Sequence, residues 1–245
     1  MNLKNKKILL TGGKGTLGSQ LIPLLKEAGA KVTAPPKKEL NVSDIISVVE
    51  EVELGEYDLI IHAAAWTDVP KCEIRKHQQN VIDVNVVGCS NISYAASELN
   101  DIKVVYISTD YVYSCASGGY KNTDPPNPKT FYGFSKLAGE SYFDLKNDLI
   151  IRTSFAKRGT WGPGRKQYSV AFTDSYTTKD WVDVIAPKII DAISEEKTGI
   201  TNIGTTKKSI YELAVEDYPD VVPVSINDVD LTYEYPSDAS LESSI

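Results

Sequence analysis

Histidine, cysteine and methionine are scarce in this chain of 245 residues, which holds two, three and one of them. His62 and His77 are too few for a histidine-rich metal site. Cys72 and His77 could share one segment, but two donors do not complete a zinc site, so no metal is expected. The cysteines Cys72, Cys89 and Cys115 are odd in number and include no Cys-x-x-Cys, which excludes a disulfide framework and favours a reducing compartment. Long apolar runs are missing as well: nothing approaches the roughly 20 residues of a membrane span. The basic start is followed only by Ile8-Leu9-Leu10 before Thr11-Gly12-Gly13, too short for the apolar core of a signal peptide. A soluble, cytoplasmic protein away from membranes is expected. Excess positive charge is also absent. The net charge is −7 and the pI about 5.0, which argues against a broad nucleic-acid surface but leaves room for a local basic pocket.

What remains is ordinary globular composition, 42% hydrophobic and 24% charged, in a length that suits one large domain or a domain with a small lobe. The first two thirds alternate strand-like and helix-like segments. Strands are expected at Lys7 to Thr11, Lys31 to Ala34, Asp58 to Ala64, Val104 to Ser108 and Leu149 to Ser154. Helical spacing covers Gly15 to Ala28, Asp44 to Val52, Cys72 to Leu99 with a break near Gly88, and Thr130 to Leu145. Pro23 inside the first helix predicts a local kink. Strand, helix, strand with short links implies parallel pairing through right-handed crossovers. The predicted fold class is α/β, a Rossmann-type doubly wound parallel sheet over residues 1–155, with a small C-terminal substrate lobe over 156–245, partly packed back on the sheet domain. In that later part, Lys157 to Tyr168 reads as a loop, Lys179 to Ile193 as a helix containing Pro187, Ile200 to Ile203 as a strand and Ser209 to Val215 as a short helix.

Gly12, Gly15 and Gly18 follow the first strand and open the first helix. A glycine turn lets backbone approach a pyrophosphate, whose charge then meets a helix N-terminus. NAD would be favoured by a carboxylate at the end of the second strand. Thr33-Ala34 ends that strand without one, and Lys37 and Lys38 follow. They could pair with a 2′-phosphate, as in NADP, or be solvated loop lysines, so NADP or NAD remains open.

Tyr132 and Lys136 lie four residues apart on a predicted helix and project together. A nearby ammonium favours the phenolate and would bring the phenol toward working pH, so that it can hand a proton to a carbonyl oxygen. Ser108-Thr109-Asp110 ends a buried strand, at the edge where open sheets bind ligands. A hydroxyl from Thr109 or Ser108 could donate to the same carbonyl. Ala63-Ala64-Ala65 ends the strand before it, where small side chains leave room for a ribose and nicotinamide. Asn85 could order a water or a main-chain group near Lys136.

Taken together, Thr11 to Gly18, Ala63-Ala64-Ala65-Trp66-Thr67, Ser108 to Tyr113 and Tyr132-Gly133-x-x-Lys136-Leu137-Ala138-Gly139-Glu140 resemble the extended short-chain dehydrogenases/reductases, specifically the dTDP-4-dehydrorhamnose reductase family. Arg152 to Phe155 and Pro236 to Leu241 echo its later segments. The resemblance implies reduction, by NAD(P)H, of the 4-keto group of a nucleotide-linked 4-keto-6-deoxysugar. It implies Tyr132 as acid, Lys136 as its tuner and ribose ligand, and Thr109 polarising the carbonyl. Gly12, Gly15, Thr16 and Leu17 would lie along the pyrophosphate, Asn41 and Val42 near the adenine, and Ala63, Ala64 and Ala65 at the cofactor. Thr67, Thr109, Asp110 and Phe155 would meet the sugar nucleotide. Asn41 stands where the family usually has aspartate, and Phe155 where it commonly has tryptophan. The chain is shorter than typical members after Phe155, and Arg158, Arg165 and Lys166 are the candidates there for a diphosphate, with a solvated basic loop as the alternative. Two other functions fit the same motifs. An epimerase/reductase would need an extra acid/base pair, for which Cys115 is the candidate. A dinucleotide-binding regulatory subunit would need no chemistry at Tyr132. Exposed helices flanking the sheet could form a homodimer.

Overall fold

The computed structural model describes residues 2–161, 169–231 and 233–244. Strands β1 (Lys7–Thr11), β2 (Lys31–Thr33), β3 (Leu59–His62), β4 (Lys103–Thr109) and β5 (Leu149–Thr153) alternate with helices α1 (Thr16–Glu27), α2 (Ile45–Gly55), α3 (Val69–Cys72), α4 (Arg75–Ile82), α5 (Gly88–Asn100) and α6 (Phe131–Glu140). After β6 (Phe155–Ala156) come β7 (Val170–Phe172), β8 (Tyr176–Thr177), β9 (Asp180–Trp181), α7 (Val182–Ser194), β10 (Gly199–Ile203), β11 (Lys208–Ser209), α8 (Ile210–Asp217) and β12 (Val222–Val224).

Six strands form one parallel sheet in the order β10-β5-β4-β3-β1-β2. The α/β doubly wound class read from the alternation is the observed one. Its apolar strands are buried on both faces, as all-parallel sheets require. Leu10, Ile61, Val105, Ile107 and Ile151 pack with Leu21 and Leu25 of α1 and Ile185 and Ile189 of α7. Leu9, Ile60, Val104, Tyr106 and Ile150 pack on the other face with Val48 and Val52 of α2 and Ile92 and Ala96 of α5. The sheet continues past Phe155: α7 and β10 return to it, while β7, β9 and α8 gather a separate core around Phe172, Trp181 and Leu213.

Several elements differ in extent from the sequence pattern. The Cys72 to Leu99 helix is α3 and α4, then a π-helical turn over Asp83–Val87, then α5. Helix α6 stops at Glu140 rather than Leu145, with Thr130 as its N-cap accepting from the Gly133 N–H at 3.0 Å. Lys179 precedes a two-residue strand, and α7 begins only at Val182. Pro23 and Pro187 both lie inside helices, as expected, and both are on the solvent side. The carbonyls their rings leave without an N–H partner belong to Ser19 and Asp183, which are exposed, so the lost helical bonds are replaced by solvation.

The tail closes the molecule. Asp238 donates its N–H to the Cys115 carbonyl, and Tyr176 exchanges backbone bonds with Ser237 and Ala239. This segment ties the loop after β4 to β8. Among the described residues, no helix is long and apolar enough to cross a membrane.

Candidate active site

The strand order reverses between β1 and β3, and ligands of open α/β sheets bind at the carboxyl side of such a switch point. A cleft of about 270 Å³ opens there, lined by Thr11 to Gly15 after β1, by Pro35 to Lys37 after β2, by Leu40 to Val42, and by Ala63 to Trp66 after β3. Its floor depends on glycine. Gly12 has φ +72°, and a Cβ on it would lie 2.7 Å from the Ala64 nitrogen. A Cβ on Gly18 would lie 2.4 Å from the Gly12 carbonyl oxygen, so only glycine lets α1 start this close to the turn. Gly15 caps α1 without a side-chain hydrogen bond. The first N–H groups of α1, those of Thr16 and Leu17 included, therefore have no intrahelical acceptor and offer an anion site. The Leu17 side chain itself is buried in the core beside Leu21.

No carboxylate stands among the described residues lining the cleft, whereas Lys14 and Lys37 do. Lys38 points elsewhere, 3.5 Å from Glu39. Asn41 and Val42 line the cleft, and the Val42 carbonyl accepts from Asn91 Nδ2 at 2.9 Å. The cradle thus fits a dinucleotide in shape and charge. At its back, Thr11 Oγ1 lies 2.7 Å from His62 Nδ1 and accepts from the Ala64 N–H at 3.2 Å. Burial lowers His62 to about 3 and keeps the ring neutral.

Strand parity separates the two hydroxyls ending β4. Ser108 falls on the Tyr106 face and donates to Glu140 Oε1 at 2.5 Å. Glu140 is also held by Arg152, with Nη2 to Oε2 at 2.6 Å and Nε to Oε1 at 3.0 Å. Ser108 is therefore structural. Thr109 is the hydroxyl that remains: it donates to Asp110 Oδ1 at 3.0 Å, accepts from the Tyr111 N–H at 3.3 Å, and acts to lower the Tyr132 phenol. Asp110 is 2% exposed. Burial pushes its carboxyl up, opposed by the Lys179 ammonium and by hydrogen bonds from Thr109 and Ser154.

Tyr132 and Lys136 sit on α6, both buried. Burial raises the Tyr132 phenol well above its ordinary range, and the opposing group is Thr109, not Lys136. The expectation that Lys136 draws this phenol toward neutral pH is not met here. The Lys136 ammonium instead donates to the Ile107 carbonyl at 2.8 Å and lies over the Tyr106 ring. The result is a protonated phenol, the form a proton donor needs. Burial lowers Lys136 to about 8.

Asn85 sits in the π-helical turn, which rotates its side chain inward. It accepts from the Trp66 N–H at 2.7 Å, and its Nδ2 donates to the Trp66 carbonyl at 3.0 Å and to Ser135 Oγ at 2.9 Å. Ser135 in turn donates to the Tyr132 carbonyl at 2.7 Å. Asn85 thus orders the Trp66 main chain and, through Ser135 next to Lys136, ties the cleft wall after β3 to the helix carrying Tyr132.

Other candidates fall outside this cluster. Thr67 is exposed beyond the cleft lining. Phe155 is half-buried opposite Asp180. Arg158 bonds Asp183 at 3.0 Å and stacks on Trp181, so its charge is already engaged. Arg165 and Lys166 lie outside the described residues. Cys72 is buried, and the His77 ring lies tilted against Trp66, with centroids 5.8 Å apart. Among the described residues, no group of three or more His, Cys, Asp or Glu side chains could hold a metal ion. Lys179, whose charge opposes the upward shift of Asp110, was not among the sequence candidates. It lies on no motif, and its placement depends on strands only two residues long.

The fold is that of the Rossmann-type reductases. The family model described as RmlD substrate binding domain matches residues 6–189. The spore coat polysaccharide biosynthesis protein SpsK of Bacillus subtilis is 35% identical over 188 residues, which cover 75% of this chain and 63% of that protein. A dTDP-4-dehydrorhamnose reductase of Streptomyces griseus is 35% identical over 160 residues, 63% of this chain and 51% of that one. The matches thus span between 51% and 63% of those relatives' length. The crystal structure of a dTDP-4-dehydrorhamnose reductase from Bacillus anthracis, in complex with NADP, superposes with a TM-score of 0.86 at 26% identity, covering 98% of this chain and 91% of that one. The chain belongs to the RmlD substrate-binding domain family, the family of the dTDP-4-dehydrorhamnose reductases.

Proposed function

We propose that the protein reduces the 4-keto group of a nucleotide-linked 4-keto-6-deoxysugar with a nicotinamide dinucleotide. The observation that carries this reading is the placing of buried Thr109 and Tyr132 at the carboxyl end of β4, with only β3 between that strand and the one whose glycine turn opens an uncapped helix N-terminus. When bound, the nicotinamide supplies a hydride to the carbonyl carbon. Tyr132 delivers its phenolic proton to the carbonyl oxygen, so the ketone becomes an alcohol. Thr109, turning its proton from Asp110, would donate to that oxygen and to the phenolate left on Tyr132, and Lys136, held at the Ile107 carbonyl, would bind the cofactor ribose. Gly12, Gly15 and the N–H groups of Thr16 and Leu17 hold the pyrophosphate. Ala63, Ala64 and Ala65 leave space for the ribose and nicotinamide. Lys14 and Lys37, with no facing carboxylate among the described lining residues, support NADPH over NADH.

The substrate enters from the side of Asp110 and Phe155, with the sugar between Thr109 and the later lobe. An epimerase step is not favoured. Cys115 is buried, its thiol is pushed up by that burial, and it donates to the Asp110 and Tyr113 carbonyls at 3.4 and 3.5 Å. Such a thiol is a poor base. The reading is tested with purified protein, NADPH or NADH, and dTDP-, UDP- and GDP-linked 4-keto-6-deoxysugars. Cofactor oxidation with one of these sugars, faster with NADPH, is expected. Tight NADPH binding without turnover on any of them would favour a regulatory subunit.

A further inference from the structure

Glu73 belongs to none of the motifs, yet it bonds the helix that carries Tyr132. It follows α3 directly, and its Oε1 accepts from the N–H of Phe131, the first residue of α6, at 2.8 Å. The backbone under Glu73 is fixed. Asp68 caps α3, its Oδ1 accepting from the Lys71 N–H at 3.2 Å, the Asp68 carbonyl accepts from Cys72 at 2.9 Å, and the Lys71 carbonyl accepts from Ile74 at 3.1 Å. Glu73 is half-buried, and among the described residues no cation pairs with it, so its partner is the helix end. The Tyr132 main chain is thereby held on both sides. Ahead of it the Phe131 N–H is on Glu73, and behind it the Tyr132 carbonyl accepts from Ser135, which Asn85 ties to Trp66. The Tyr132 ring shares an apolar cluster with Cys72 and Val81, and Tyr111 meets it edge-on with centroids 5.9 Å apart. Gly133 leaves no room for a side chain against the Tyr111 carbonyl, so the first turn of α6 lies against the chain after β4 while Glu73 holds it to α3.

We propose that Glu73 is a positioning residue for the reduction: its carboxylate clamps the start of α6 to the segment that follows the cofactor wall, and so keeps the Tyr132 hydroxyl at the carbonyl oxygen it protonates. This assignment rests on the reductase reading and extends it. The first N–H groups of a helix have no intrahelical acceptor. Thr130 takes that of Gly133 at 3.0 Å, and Glu73 takes that of Phe131 from a segment 58 residues away. A carboxylate suits this end of a helix, and its bond to an N–H is stronger than a neutral one. Glu73 is not among the residues lining the cleft, so it acts through the helix. The stretch from Ala63 to Glu73 begins at the cofactor cleft and ends on the helix of the proton donor, so it sets hydride and proton against one another. A proton donor works only within hydrogen-bond reach, and a misplacement of about 1 Å can cost about 10²-fold in rate.

The experiment compares wild type with Glu73→Ala, Glu73→Asp and Glu73→Gln. Steady-state reduction of the 4-keto-6-deoxysugar nucleotide by NADPH is measured, with turnover counted per NADPH-binding site so that unfolded protein does not enter. Exchange of the Phe131 amide hydrogen is followed separately. Glu73→Asp keeps the charge but withdraws the oxygen by one methylene, whereas Glu73→Gln keeps an acceptor at the same reach without the charge. Glu73→Ala and Glu73→Asp should lower kcat about ten- to a hundredfold, with KM for the sugar and NADPH affinity little changed, and should speed exchange at Phe131. Glu73→Gln should recover most of the kcat and keep that exchange slow. Wild-type kcat in Glu73→Ala, or a loss in Glu73→Gln as large as in Glu73→Ala, overturns the role of Glu73 alone. Should Glu73→Ala not fold, Glu73→Asp decides, and wild-type kcat in that variant overturns the role. Absence of turnover by wild type on every 4-keto-6-deoxysugar overturns the reductase reading and this assignment with it.

Discussion

The Lys136 ammonium lies 4.1 Å above the centre of the Tyr106 ring and is tied to the Ile107 carbonyl of the same strand. Tyr106 in turn donates from its hydroxyl to the Lys136 carbonyl at 3.3 Å. Helix α6 and strand β4 are thus locked to each other at the position that carries Thr109 at the strand's end and Tyr132 one helical turn away. The geometry of the proposed proton transfer follows from this lock.

Burial lowers Lys136 from 10.5 to about 8. The unfolded chain therefore binds this proton more tightly, and between about pH 8 and 10.5 stability rises with pH as the folded lysine is already neutral. The cost is present in full below about 8, on the order of 3 kcal/mol, and is gone above 10.5. Wild type should gain stability relative to Lys136→Met across that window, read from urea midpoints at pH 7 and 10.5. A difference that does not change with pH would refute the buried, strained ammonium.

Glu140 has three charged or hydroxyl donors on it, two from Arg152 and one from Ser108. Glu140→Ala leaves the guanidinium buried without its partner and should cost about 3–5 kcal/mol in chemical denaturation. Replacing Glu140 and Arg152 together by methionine should cost less than Glu140→Ala alone. A surface-like loss below about 1 kcal/mol would contradict this burial.

Gly18→Ala places a methyl against the Gly12 carbonyl and must shift the turn or the helix start. NADPH affinity should fall about tenfold or more, in line with the cost of overpacking. Gly119→Ala, whose added carbon meets nothing within 4 Å but is strained by a φ of +63°, lies outside the cleft lining and should cost stability while leaving NADPH affinity intact. Fluorescence titration with NADPH separates the two.

Lys37→Ala removes a cation from a cleft whose described lining has no carboxylate. The NADPH preference should drop about tenfold through weaker NADPH binding, the loss of a charge-assisted contact, while NADH binding stays the same. An equal loss for both cofactors would place Lys37 on the shared pyrophosphate instead.

The sheet and the glycine turn were legible because both are written locally: apolar runs of strand length, helical spacing between them, and glycines at the turn. Strand parity could also have removed Ser108, since Tyr106 and Ser108 share a face. What was not legible depended on contacts distant in sequence. Asn85 is a helical asparagine until Trp66, 19 residues away, takes both ends of its amide. Arg158 reads as a phosphate ligand until Asp183 pairs with it. Lys179 reads as the start of a helix, yet it precedes the two-residue strand β9, which pairs with β6. The phenol's protonation also followed from burial rather than from the four-residue spacing to Lys136.

Tyr132→Phe keeps the ring and removes the proton, so turnover should fall about 10²- to 10⁴-fold while NADPH binding persists. Unchanged turnover would refute the role of Tyr132.

The most direct test of the central claim follows the hydride. Purified protein is given NADPH deuterated on the transferring face of C4 and a dTDP-linked 4-keto-6-deoxysugar, and the product is read by NMR. One deuterium at sugar C4, with none at C3 or C5, is the predicted result. Product without deuterium at C4 when NADPH deuterated on either face is used, or NADPH left unconsumed by every sugar nucleotide offered, would contradict a 4-keto reductase.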